Sequence, residues 1–196
     1  MGAILTQNTA WHNVEKALVN LKMAGVMSPK SIREISQEDL AILIRPSGYF
    51  NSKARKLKSF ATHLARYSDD LDVLFASEVV QLRKELLGIY GIGDETADDI
   101  ILYAANKPSF VIDSYTRRII LRLGLTPEQD NYAGHQRLFA DYLPPDTAMF
   151  NEYHALLDHH AKETCRKTTP LCRSCCLLDI CPDGQVRCQQ DENKII

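Results

Sequence analysis

Apolar residues recur at helical spacing along nearly the whole chain. Trp11, Val14, Leu18 and Leu21 form one stripe, with Asn8 or Thr9 as the N-cap and Gly25 as the stop. A short helix is expected near 30–35, after Pro29, and another over 37–44, ended by Pro46 and Gly48. Residues 51–66, NSKARKLKSFATHLAR, make a helix, and 70–87 make an amphipathic one capped by Asp69 or Asp70. The turn GIYGIG at 88–93 leads into a helix over 94–105. The stretch FVIDSYTRRIILRLGL holds a helix capped by Asp113 or Ser114, and two more are expected over 127–143 and 146–163. The residues from 182 to 196 read as a frayed tail. Phe110-Val111-Ile112 is too short to compete as a strand, and no period of 20–50 residues repeats. The pattern predicts an all-α protein of about ten helices.

Charge narrows the partners. The chain has 196 residues and a net charge of -2, so any nucleic-acid surface must be a local patch. That patch is found in 51–66, where Lys53, Arg55, Lys56 and Lys58 occur with no acid among them. They read as DNA phosphate contacts or as a solvated helix face. No run of about 18 apolar residues suggests a membrane span. No export signal is visible, so a cytoplasmic protein is expected, nucleoid-associated in a bacterium. Met1 to Thr6 formally fits a myristoylation pattern but reads better as the start of a buried helix.

The glycine-rich turn carries the first chemistry. A helix ending at Leu87, a tight turn with Gly91 and Gly93, and a second helix from Asp94 make a helix–hairpin–helix. Glycine permits positive φ and close backbone approach. The N–H groups at the start of the second helix can hold a DNA phosphate without reading sequence. Asp94 serves as N-cap and Glu95 sits in the first turn, where the helix dipole favours acid. The same residues also fit an interhelical turn with no function.

Five of the six cysteines lie between 165 and 181. A disulfide framework would spread them; a tight cluster suggests a metal site. The spacing is Cys165-x6-Cys172-x2-Cys175-x5-Cys181. Zinc ribbons pair two separated C-x2-C knuckles, and here only one fits that use. Four thiolates in one short loop suit a [4Fe–4S] cluster better than zinc. Cys176 and Cys188 fall outside this frame, while Arg166, Lys167 and Arg173 lend the loop positive charge towards phosphates.

The segment GIYGIGDETADDIILYAANKPSFVIDSYTRR resembles the hairpin and catalytic region of the endonuclease III superfamily of DNA glycosylases. LTQNTAW, IRPSGYFNSKARKL and the cysteine cluster match in the same order. The resemblance implies a two-lobed helix–hairpin–helix glycosylase fold with a C-terminal [4Fe–4S] loop. It implies one lobe over 20–122, a second from 1–19 plus 123–182, and a tail over 183–196. The cleft between the lobes would take double-stranded DNA with a damaged base, bound by a monomer. Asp113, otherwise readable as a helix cap alone, takes the place of the catalytic carboxylate. Bifunctional members carry a lysine where this chain has Glu95, so the resemblance implies a monofunctional glycosylase without lyase activity. Gln7 matches the residue that fills the vacated base stack.

GAILTQNTAWHNVEKAL is similar to the subfamily that removes alkylated purines such as 3-methyladenine. There an aromatic residue stacks on the base, a role Trp11 can take, although its helical position also fits core packing. Trp11 and Glu95 are thus the candidate base-pocket residues. Family members carry a further segment ahead of GAILTQ. Other readings are an adenine- or thymine-mismatch glycosylase and a non-catalytic iron–sulfur DNA-binding module. His154, His159 and His160 read as surface or packing histidines, His160 at the place of a structural histidine before the cluster.

Overall fold

The computed structural model describes residues 1–193, and no strand occurs among them. The chain divides into two compact units, Met1–Ala105 and Asn106–Ile196. The first carries α1 (Gly2–Leu5), α2 (Trp11–Met23), α3 (Pro29–Glu34), α4 (Gln37–Leu43), α5 (Phe50–Leu64), α6 (Leu71–Phe75), α7 (Val79–Leu87) and α8 (Asp94–Asp99), the last continued by a π-helical turn (Ile100–Ala104). The second carries α9 (Ser114–Arg122), α10 (Tyr132–Ala140), α11 (Thr147–Glu163) and α12 (Pro182–Asn193).

This division differs from the expected one. Ile4, Leu5, Val14 and Ala17 belong to the same buried core as Leu57, Leu64, Leu82 and Ile101, so residues 1–19 are part of the first unit. α1 packs on α5, α2 and α8, all in the first unit. α9 falls in the second unit, where it packs against α11 and α12 and buries Ile119 and Ile120.

Several helix boundaries also move. The expected helix over 70–87 is two helices, because Glu78 turns extended after Ala76 and Ser77. Serine competes with the helix by bonding nearby backbone, so a break there is cheap. Asp70 caps α6 through Oδ1. α2 starts at Trp11 from an extended Ala10, not from Asn8 or Thr9, since Asn8 is left-handed and Thr9 Oγ1 accepts from Asn13 instead. Over 127–143 only Tyr132–Ala140 is helical, capped by Asn131. The expected tail folds as α12, where Arg187 pairs with Asp183 one turn away; residues 194–196 lie outside the described part.

α5 is where the fold departs most from its sequence reading. Lys53 is only 1% exposed, and its ammonium donates to Leu5 O (2.9 Å) and Ser47 O (2.6 Å). Lys58 donates to Arg33 O (3.0 Å) and to Ile35 O, at the end of α3. Helix ends leave carbonyls without intrahelical donors, and buried ones need partners. These two lysines supply them, so neither ammonium faces outward as a phosphate contact would. Arg33 in turn forks onto Asp69 at 2.5 and 2.7 Å.

Burial, reinforced by nearby Lys56, pulls the Lys53 ammonium down to about 8. The unfolded side chain holds its proton to about 10.4. Between these values the unfolded state binds more protons, so stability rises with pH through that window, and below it this titration makes no pH-dependent contribution. Lys53→Met should cost about 2–3 kcal/mol near neutrality by stripping two carbonyls of a donor. The gap between wild type and variant should widen from about pH 7 to about pH 9.5. Urea unfolding of both proteins at the two pH values checks this, and a gap that narrows would refute it.

Candidate functional site

α7 ends at Leu87, and Gly88 and Ile89 bond back to Glu85 and Leu86. Ile92 N then donates to Ile89 O and closes the turn, with Ile89 and Ile92 buried and Tyr90 outside. The two glycines serve different ends. Gly91 has φ +85°, and a Cβ there would stand 2.2 Å from Lys56 Cγ. Gly93 is extended, and a Cβ there would meet nothing within 4 Å. The chain itself requires glycine at 91. At 93 it requires nothing, and the space over the start of α8 is open.

Gly93, not Asp94, is the N-cap of α8. Asp94 turns to Arg83, which donates to its Oδ1 (2.7 Å) and forks onto Asp98 at 2.9 and 3.1 Å. Asp98 is fully buried. Asp94 and Asp98 are one turn apart, so one guanidinium on α7 reaches both. Burial opposes the Arg83 charge, but its bonds to Asp98 and Asp94 outweigh that and raise its pKa. Two of the four carboxylates after the turn therefore lock the hairpin shut. Glu95 is exposed in the first turn of α8.

Gln7 lies against this turn. Its Nε2 donates to Gly91 O (3.2 Å) and Thr96 Oγ1 (2.8 Å), and its Oε1 accepts from Lys56 Nζ. Gln7, Lys56 and Gly91 are thus brought together, and the amide expected to enter DNA is engaged with the hairpin. Lys56, expected at phosphate, faces inward like Lys53 and Lys58. Arg55 alone of the four bases lies at the surface of the hairpin, 4.2 Å from the centre of the Tyr90 ring. Trp11 is 52% exposed at the start of α2, so core packing is not its role.

In the second unit, Asp113 is the extended N-cap of α9 and half-buried, with Oδ1 accepting from Thr116 N (2.7 Å). The chain leading to it is pinned: Ile112 N donates to Tyr132 Oη, Gln136 donates to Phe110 O, and Phe110 stacks on Phe139 at 3.8 Å. His154, expected as a surface or packing histidine, feels the Asp113 and Asp158 carboxylates. Burial nevertheless holds its imidazole towards the neutral form. Lys162 pairs with Asp158 (2.6 Å) and lies 5.7 Å from the Tyr115 ring centre. Residues 154, 158 and 162 repeat every four along α11, a spacing that would have linked the three in the sequence but not to Asp113.

Cys165, Cys172, Cys175 and Cys181 line one solvent-open cavity, with Arg122, His160 and Gly184. Backbone N–H groups of Leu177 and Gly184 point at Cys175 Sγ (3.4 Å) and Cys181 Sγ (3.3 Å), and Arg122 donates to Cys165 Sγ (3.2 Å). Such donors suit sulfurs that carry negative charge. Among the described residues no group of three His, Cys, Asp or Glu is gathered closely enough to hold a metal ion. Cys176 is exposed and Cys188 does not line the cavity.

Residues 1–145 match the family described as HhH-GPD superfamily base excision DNA repair protein. A chain described as a candidate DNA repair glycosylase, from Methanocaldococcus jannaschii, is 41% identical over 92% of this chain and 83% of its own. Endonuclease III of Sulfolobus acidocaldarius is 31% identical over 92% of this chain and 79% of its own. A crystal structure of the Helicobacter pylori 3-methyladenine DNA glycosylase bound to 1,N6-ethenoadenine superposes with a TM-score of 0.70 at 28% identity, covering 83% of this chain and 82% of that one. With a family match over most of its length and these relatives, the chain belongs to the HhH-GPD superfamily of base excision DNA glycosylases.

Proposed function

We propose that this DNA glycosylase is monofunctional and hydrolyses the N-glycosidic bond of alkylated purines such as 3-methyladenine in double-stranded DNA. The observation that carries the hydrolytic reading is Asp113: a half-buried carboxylate on a pinned segment, with one oxygen spent on its cap and the other without a hydrogen bond among the described residues. Loss of the base leaves an oxocarbenium-like sugar. A fixed carboxylate stabilises that cation and orients or deprotonates the water that attacks it. Glu95 stands where bifunctional relatives have lysine, and a carboxylate forms no Schiff base.

The choice of base rests on Trp11. An indole that the core does not use is available for stacking, and N3- or N7-alkylated purines are cationic, which its π face attracts. A cationic base also leaves easily, so Asp113 needs no partner acid. DNA is gripped at Gly93 and the first-turn amides of α8, with Arg55 beside them. Cys165, Cys172, Cys175 and Cys181 would hold a [4Fe–4S] cluster, which braces the loop structurally. The protein acts as a monomer on damaged duplex.

The test is a panel of duplexes, each with one lesion, assayed for abasic sites with and without alkali. Wild type should release alkylated purine and leave strands intact until alkali is added. Release only from an adenine or thymine mismatch would move the specificity, and release from no lesion despite tight binding would favour a non-catalytic module. Asp113→Asn should keep DNA affinity while base release falls at least a hundredfold. Borohydride should trap no covalent complex on an abasic duplex; efficient trapping would mean that an amine other than residue 95 attacks the sugar.

A separate measurement addresses the cysteines. Protein purified without oxygen should contain about four irons and absorb near ~400 nm. Cys172→Ser should lose iron and solubility, and Cys176→Ser should keep both. Stoichiometric zinc without iron in the wild type would overturn the assignment.

A further inference from the structure

Lys56 is basic and lies beside the turn, and the obvious role for it is a phosphate contact. Its surroundings point elsewhere. Cγ, Cδ and Cε lie 2.2, 2.6 and 2.9 Å from where a Cβ on Gly91 would stand, so the stem runs flat along the turn. Its ammonium donates to Gln7 Oε1. We infer that Lys56 is a positioning residue for the DNA-binding hairpin: it sets the turn by fixing the orientation of the Gln7 amide against it. This rests on the reading that the hairpin grips DNA.

The physical reason is the asymmetry of a side-chain amide. Its oxygen only accepts and its nitrogen only donates. A cation on one side holds Oε1 there and turns Nε2 to the other. Nε2 then meets two acceptors, Gly91 O in the turn and Thr96 Oγ1 in the first turns of α8. Thr96 is itself buried, so these bonds tie the turn and the helix start to a rigid point. Without the ammonium, the amide can flip and set Oε1 against the Gly91 carbonyl. The turn then loosens, and the amides of residues 93–95 no longer share one aim. The stem has a second part in this, since it supports the backbone where Gly91 can have no side chain of its own.

The test uses Lys56→Met, which keeps the stem and removes the charge, together with Gln7→Leu and the double variant. Binding to an undamaged duplex is measured over a range of salt, and amide hydrogen exchange is followed at residues 91–96. Lys56→Met should weaken binding about fivefold to tenfold with an unchanged salt slope, and exchange at 91–96 should quicken. In the Gln7→Leu background the same substitution should add little, because both residues act through one amide. A fall in salt slope of about 0.9 with additive losses would make Lys56 a phosphate contact and overturn the inference. So would wild-type affinity and exchange in Lys56→Met. If the wild type binds no duplex, the DNA-binding reading falls. The exchange data then decide the positioning role alone: quickening supports it, and no change refutes it.

Discussion

The first unit depends on a buried carboxylate that must be paired. Asp98 is fully enclosed, and its charge is met by the fork of Arg83 from the preceding helix. Removing Arg83 would strip a buried carboxylate of its two-pronged counter-charge, at a cost of about 3–5 kcal/mol. The pair joins α7 to α8 across the turn, so the angle between the two helices is held by an ion pair as well as by Ile89 and Ile92 below it. Asp94 adds a second, exposed grip to the same guanidinium. The acidity after the glycines is therefore in part the fastening of the hairpin, through Asp94 and Asp98, while Glu95 stays exposed in the first turn of α8.

A second constraint is shared by the lysines of α5. Three of them turn their ammonium groups inward, onto carbonyls at the ends of α1 and α3, the turn before α5, and the Gln7 amide. Long stems cross apolar surface while the heads satisfy groups that helices cannot satisfy alone. A basic stripe thus becomes internal pegging. It brings α1, α3 and the hairpin to one helix, and only Arg55 remains outside at the turn.

In the second unit the same economy is seen at Asp113. One carboxylate oxygen starts α9, which fixes the group in place, and the other has no hydrogen bond among the described residues. The cap makes the carboxylate rigid, and rigidity is what electrostatic stabilisation of a transient cation needs. α11 supplies the electrostatic setting: burial holds the His154 imidazole towards neutrality, and the Lys162 ammonium, paired with Asp158, also feels the Asp113 carboxylate.

The sequence by itself determined the helical class, the hairpin, the capping role of Asp113 and the spacing of the four cavity cysteines. Each of these is local: a glycine, a short polar cap or a run of thiols acts on the few residues beside it. Tertiary structure alone decided where the long side chains go. Lys53 and Arg55 are two residues apart on one helix, yet one is enclosed and the other exposed, because only packing says which face meets α1. Trp11 occupied a core position by periodicity, but the core closed without it. Residues 1–19 joined the first unit because the apolar face of α1 fits α5 and α8, a match between segments more than forty residues apart that no local pattern encodes. The link from Gln7 to Gly91 spans 84 positions and is of the same kind.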